Sequence, residues 1–210
     1  MSHPAYPNAA DLSTLLKEVG IDTVSSQRLD TIMRQAVSQF EAQTGYCPFL
    51  GASATRVFDP PGGNGNYIGS PRGGHRILTL DTGLISLSSL TVGGTTYHVG
   101  TDFWLRPNNR TANWIEFSQP IYGAPQCISI TGTWGYSTSV PDDAWLAILR
   151  MAGLICITEY VAKSTGGVQE WAEGGASEKY GNAPFASVSE DWRDYITLVV
   201  NSYKRVTVGL

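Results

Sequence analysis

The stretch AWLAILRMAGLICITEYVA, from Ala144 to Ala162, constrains this chain more than any other segment. Wound into a helix, it places Trp145, Leu146, Ile148, Leu149, Ala152, Leu154, Ile155, Cys156 and Ile157 over nearly every side. A helix that is apolar all round is normally buried all round. Its length is near that of a membrane span, but Arg150 and Glu159 stand inside it, and charges there are costly at a bilayer centre. The expectation is a buried helix of a soluble protein with no membrane partner. Two readings stay open: the central helix of its own domain, or a helix with one face covered by a neighbouring subunit.

What precedes this helix is as abrupt as the helix is apolar. In ITGTWGYSTSVPDD an aromatic strand around Trp134 and Tyr136 gives way, through Gly135 and a Ser-Thr-Ser turn, to Pro141 near the first helical turn. Proline suits that place because its missing N–H is an orphan there anyway, and Asp142 and Asp143 complement the positive helix end. Trp134, Tyr136, Pro141 and Trp145 therefore read as a rigid joint between a β layer and the helix, with the helix lying against the sheet it leaves.

Upstream, DLSTLLKEVG reads as a short amphipathic helix capped by Asp11, with Leu12, Leu15, Leu16 and Val19 on one face and a stop at Gly20. A second helix, capped by Ser25 or Ser26, carries Leu29, Ile32, Met33, Ala36, Val37 and Phe40 to Gly45. Its stripe is expected to pack on the β layer. From Thr55 to Thr133 short β-type runs alternate with turn residues. Gly93-Gly94 is a two-residue hairpin signal, since both central positions of such a turn favour positive φ. Asn108-Asn109 separates DFWLR from NWIEF, and the short links suggest sequential antiparallel pairing.

Two segments lack any hydrophobic period. The glycine-rich run from Pro60 to Gly74 reads as a long exposed loop, either ordered by a partner or without fixed structure. Residues 164–187 are rich in Gly, Ser and Ala and read as an extended arm carrying Trp171. A last helix from about Ser189 aligns Trp192, Tyr195, Ile196, Val199, Val200 and Tyr203, with Lys204 and Arg205 near its end. It either docks on a partner or packs back on its own domain. The fold class is thus α+β: N-terminal helices and a buried central helix packed with a small antiparallel β layer, plus an extended C-terminal arm and helix. The expected division is a body over 1–163 and an arm with a docking helix over 164–210.

Signals for chemistry are weak. LDTG at Leu80 to Gly83 has the tripeptide of an aspartic protease, but a carboxylate pair needs a second copy, and the chain has none. The three histidines, His3, His75 and His98, form no close ligand pair, and Cys47, Cys127 and Cys156 are far apart, so they are expected to be reduced and mostly buried. No nucleophile elbow or P-loop occurs. No enzymatic activity, cofactor or metal is expected. Fourteen basic against eighteen acidic residues give a net charge of −4 without a basic stripe, which argues against nucleic acid as a direct ligand. The start of the chain has neither a basic n-region nor an apolar h-region, so no secretion signal is read. Six Trp and ten Tyr keep a carbohydrate-binding module in play as a second class.

Taken in order, the helical segment ending FEAQTGYCPF, the strands LTVGGTTYHVGTDFWLRPNN and NWIEF, and then ISITGTWGYSTSVPDDAWLAILRMAGL resemble the head-to-tail adaptor (head-tail connector) proteins of tailed bacteriophages. The resemblance runs from about Leu29 to Ala162. Its most specific part is Gly-Thr-Trp-Gly-Tyr followed by Val-Pro-Asp-Asp and an apolar helix, and the late arm ending SYKRV is similar to the family's C-terminal helix. The resemblance implies a structural virion protein at the head-tail interface, assembled in the host cytoplasm. It implies a dodecameric ring of this chain joining the portal protein to the next neck or tail component. DNA would pass as cargo through a mildly acidic channel. It also points to Trp171, Trp192, Tyr195, Val199, Tyr203 and Arg205 as the portal or subunit interface. A stopper or tail-completion protein of the neck is the alternative in the same setting. On this reading Trp134→Ala damages folding, whereas Trp192→Ala spares the body and weakens docking.

Overall fold

The computed structural model describes residues 2–22, 24–60, 76–108, 110–164, 170–173, 176–179 and 185–204. The glycine-rich run beyond Pro60 and Arg205 lie outside the described residues. The protein is α+β, with helices grouped apart from an antiparallel sheet. Among the described residues, contacts divide it into two compact units, one running up to Thr44 and again over Val140–Lys204, the other over Gly45–Ser139.

In the helical unit, α1 (Ala9–Glu18) starts earlier than the sequence suggested. Asn8, not Asp11, is the N-cap: its Oδ1 accepts from the Ala10 and Asp11 amides at 2.8 and 3.3 Å, and the Asp11 carboxylate accepts from the Asn8 amide at 2.8 Å. Asp11 is the third residue of a capping box, so both residues satisfy orphan donors of the first turn. At the other end Gly20 adopts φ +82. This lets the Ile21 amide reach the Leu16 carbonyl and the Gly20 amide reach that of Lys17, a Schellman closure that buries Ile21.

The second helix, α2 (Ser26–Thr44), buries Leu29, Ile32, Met33, Ala36 and Phe40. That stripe is spent on helices, because α2 packs with α1, α3 and α4. The partners of this stripe are helices, where the sequence suggested the β layer. α3 (Asp142–Ser164) is the long apolar helix. Pro141 lies just before it, in β8 (Val140–Pro141), which pairs with β1 (Ser2–His3). Ala144, Ala147, Ile148, Leu149, Met151, Ala152, Cys156 and Ile157 are buried, whereas Trp145, Leu146, Leu154 and Ile155 are half-buried. With α1, α2 and α4 around it, α3 is the central helix of this unit. It is also long and apolar enough to cross a membrane by length and composition, but half of that span is buried in the protein.

The chain continues into β9 (Glu170–Glu173) and β10 (Ala176–Lys179), which pair with each other in an antiparallel ladder. It ends its described part with α4 (Ala186–Tyr203), three residues earlier at its start than the periodicity suggested.

The sheet unit holds β2 (Ala52–Phe58), β3 (Ile77–Val92), β4 (Thr95–Tyr97), β5 (Phe103–Arg106), β6 (Ala112–Phe117) and β7 (Ile128–Trp134). Their order is β2-β7-β3-β6-β5, with β4 also paired to β3. Two sequence expectations change here. Pairing is not purely sequential, because β7 inserts between β2 and β3. RILTL and ISLSSLTV, two of the short β-type runs with Asp-Thr-Gly between them, are one sixteen-residue strand.

What looked like a turn is a bend within β3, where the register against β6 shifts between Thr79 and Leu84. Gly83 is required at this point, since a Cβ would stand 2.3 Å from Thr111 Cγ2 and 2.6 Å from the Gly135 carbonyl oxygen. The hairpin signal holds: Gly93 and Gly94 have φ +56 and +85, and Val92 faces Thr95 across them. The core is made by alternate residues of the strands. Ile128, Ile130 and Trp134 of β7 meet Leu78, Leu84 and Leu90 of β3, Ile115 and Phe117 of β6, and Phe58 and Phe103 from the flanking strands.

Candidate functional site

The sequence candidates fall on both units. In the sheet unit Trp134 is fully buried. Its Nε1 donates to the Ala54 carbonyl at 2.9 Å, and the Arg56 guanidinium lies 4.9 Å from its ring centroid. The same guanidinium pairs with Asp81 at 2.6 Å. The carboxylate of the Asp-Thr-Gly sequence is thus an ion-pair partner on an exposed strand surface. Tyr136 stacks on Phe49 at 4.8 Å and meets Tyr46 edge-on at 5.2 Å. Its amide donates to the Phe49 carbonyl and its own carbonyl accepts from Thr111 Oγ1, both at 2.8 Å. These bonds fix the end of β7.

In the helical unit Pro141 pairs with Ser2. Trp145 stacks on the His3 imidazole at 4.5 Å, while His3 Nε2 lies 3.2 Å from Asp142 Oδ1. The four joint residues are therefore two pairs, each fastened inside its own unit, and the chain passes from one unit to the other between Ser139 and Val140.

The α4 candidates are fastened to α3. Trp192 is 7% exposed and fits over Gly153, where an added Cβ would come within 2.4 Å of the indole. Val199 is buried as well. Of the two readings of this helix, packing back on its own domain holds for Trp192, Ile196, Val199 and Val200. The expectation that Trp192→Ala would spare the body is corrected accordingly, because a buried tryptophan cannot be truncated without loss of packing.

Tyr195 presents its ring to the Arg150 guanidinium at 4.3 Å. Burial holds its hydroxyl above the ordinary phenol value, the Asp143 charge adds to this, and Arg150 opposes it. The Tyr203 hydroxyl donates to Asp143 Oδ1 at 2.7 Å. Trp171 stands in β9 opposite Glu178.

Elsewhere on this unit, Arg28 of α2 grips both carboxylate oxygens of Glu159 on α3. The bond keeps Glu159 below the usual carboxylate range. Burial pushes the nearby Cys156 thiol up to about 11, with Glu159 adding and Arg28 opposing. Cys47 is exposed and Cys127 half-buried, so the expectation of mostly buried thiols holds fully only for Cys156.

Periodicity missed Leu198, which is 69% exposed on α4. It lies off the apolar stripe, and a search for stripes finds what a chain buries, not what it presents. Asp191, Asp194 and Asn201 lie near it on the same exposed side of the helix. On the N-terminal side of the same unit, Tyr6, Met33, Arg34, Val37 and Glu41 line a cleft of about 650 Å³, with the Tyr6 hydroxyl bound to Glu41 at 2.6 Å. Among the described residues no group of three or more His, Cys, Asp or Glu is placed to hold a metal ion. These arrangements set apolar or aromatic groups among held charges.

No protein-family model matches the sequence, and no curated protein does. The fold, however, matches that of a chain in a solved structure described as the neck of an empty GTA particle computed with C6 symmetry. The match covers all of this chain and 97% of that one, with a TM-score of 0.51 and 14% sequence identity. At that identity the likeness is one of fold.

Proposed function

We propose that the protein is a structural component of the neck of a phage-like particle, forming the ring that joins the portal vertex of the capsid to the next neck or tail component around the DNA channel. The observation that carries this reading is a fold shared from end to end with a chain of such a neck. A local likeness would support less. Supporting it is the order of sequence blocks, ending in Gly132-Thr133-Trp134-Gly135-Tyr136 and Val140-Pro141-Asp142-Asp143.

Within the reading, the segment from residue 164 is the docking part. The exposed side of α4, with Leu198 beside Asp194 and Asn201, takes the role first assigned to Trp192 and Val199. Tyr195, Tyr203 and Arg205 stay in the proposed contact set, and Trp171 contributes from β9. The work is docking, and DNA passes as cargo.

Native mass spectrometry of the protein mixed with the portal ring encoded by the same genome tests the proposal. Saturating, symmetric addition is the expected result. Absence of any complex would overturn it and favour a stopper or tail-completion role.

A further inference from the structure

Two features of the molecule are each incomplete in a complementary way. β2 ends the sheet: it hydrogen-bonds to β7 on one side, and no described residue pairs with its other edge. Ala52 to Thr55 are exposed without interruption, and Val57 is 52% exposed. The strand, ASATRVF, has no proline, no lysine and no bulge against β7, and its one charge, Arg56, is turned to Asp81 and the Trp134 ring. An edge of this kind is a template for another strand.

The second feature is the hairpin β9–β10. Its four-residue strands pair only with each other among the described residues, and an isolated two-stranded ladder is marginally stable at best in water. A third strand would stabilise it, and its outer edges supply the N–H and C=O groups that β2 lacks.

We propose that the hairpin β9–β10 of one copy of this chain adds to the outer edge of β2 of a second copy, extending the six-stranded sheet across the subunit boundary. The occupant is a second copy: the chain carries both the unpaired edge and the hairpin, and the neck chain whose fold it shares belongs to a particle computed with C6 symmetry. Such a head-to-tail pair closes into a ring when the rotation between copies permits. Main-chain hydrogen bonds supply affinity in strand addition, and alternate side chains supply specificity. The inference rests on the ring reading above and deepens it by naming the contact between subunits.

The test is hydrogen exchange on the full chain, dilute and then assembled, either at its solubility limit or on the portal ring of the same genome. Amides of Ala52–Phe58 and of Glu170–Lys179 should slow together on assembly, by about tenfold or more. Ala172→Pro, which removes a donor from the hairpin and leaves the helical core untouched, should abolish the slowing in both segments. Equal exchange of β2 in the dilute and assembled states would overturn the inference.

A second measurement separates own chain from neighbour. Ser53→Cys with Ala172→Cys, in a Cys47→Ser background mixed from light and heavy isotope preparations, should yield disulfides between light and heavy chains on assembly. Disulfides within single chains only, or none, would also overturn it. Normal addition to the portal with β2 still fast would remove this contact and leave the neck proposal standing. No assembly in either condition would remove both.

Discussion

Each unit of this protein is built around a buried tryptophan, and the two are held by different means. Trp134 of the sheet unit is fixed by direction: an Nε1 hydrogen bond to Ala54, a guanidinium on its face, and a place at the end of β7 where Leu84 and Ala52 both pair with it. Trp192 of the helical unit is fixed by size: a notch on α3 that exists because residue 153 has no side chain. The sheet unit is therefore specified through register and hydrogen bonds, the helical unit through matching of large and small residues. Losses in the first should be all-or-none, whereas losses in the second can be repacked.

The largest expected effect breaks the sheet side of this contrast. Trp134→Ala should cost about 3–5 kcal/mol by the cavity it leaves, read by denaturant unfolding. Trp134→Phe, which fills much of the volume but loses the Nε1 donor, should recover only part of it. Full recovery by phenylalanine would show that volume, not direction, holds this site.

On the helical side, Gly153→Val should cost about 1–3 kcal/mol by overpacking against the indole. Combining it with Trp192→Leu should return part of the loss, because the pair is coupled through one shared space. Strict additivity in the double-mutant cycle would remove the size-matching account.

Asn8→Ala should cost about 1 kcal/mol, whereas Leu198→Ser should change stability by less than about 0.5 kcal/mol and yet weaken binding to the portal ring. A Leu198 variant that binds normally would take α4 out of the proposed contact set.

A further effect is a pH dependence whose largest part lies in the helical unit. Cys156 has its folded value pushed up to about 11, and that of Tyr195 is also raised. Each group binds its proton more tightly when folded, so its contribution is complete below the unfolded value. It is lost as pH rises through the folded one. Thermal melts should therefore show stability falling between about pH 9 and 11, with less of a fall in Cys156→Ala. Glu159, held down by Arg28, works in the opposite direction. Its contribution is present above the ordinary carboxylate value and disappears as pH falls through the lowered one.

The parts legible in the sequence were those whose cause is local. Gly93 and Gly94 announce their hairpin because positive φ is a property of the residues themselves, and the stripes of α1 and α2 mark helices because periodicity is carried within each segment. The cap of α1 was misplaced by three positions because Asn8 and Asp11 are both cap-forming residues and only the reciprocal pair distinguishes them. The place of β7 between β2 and β3 was not legible, since the pairing of Trp134 with Ala52 on one side and Leu84 on the other leaves no periodic trace in either strand. The burial of Trp192 was half legible. The stripe on α4 was plain, but its receiving notch is a single glycine on another helix. Leu198 was invisible because it departs from the stripe.

Among the described residues the chain crosses between units at Thr44–Gly45 and Ser139–Val140, so residues 45–139 are inserted within the helical unit. During synthesis α1 and α2 emerge first, with the apolar stripe of Leu29, Ile32, Met33 and Phe40 lacking its partner α3. All of residues 45–139 must be added before α3 begins to appear, an interval of roughly 5 to 20 seconds at common elongation rates. The sheet unit can close its own core during that interval. The first two helices cannot, so their apolar stripe stays uncovered by α3 until that helix follows.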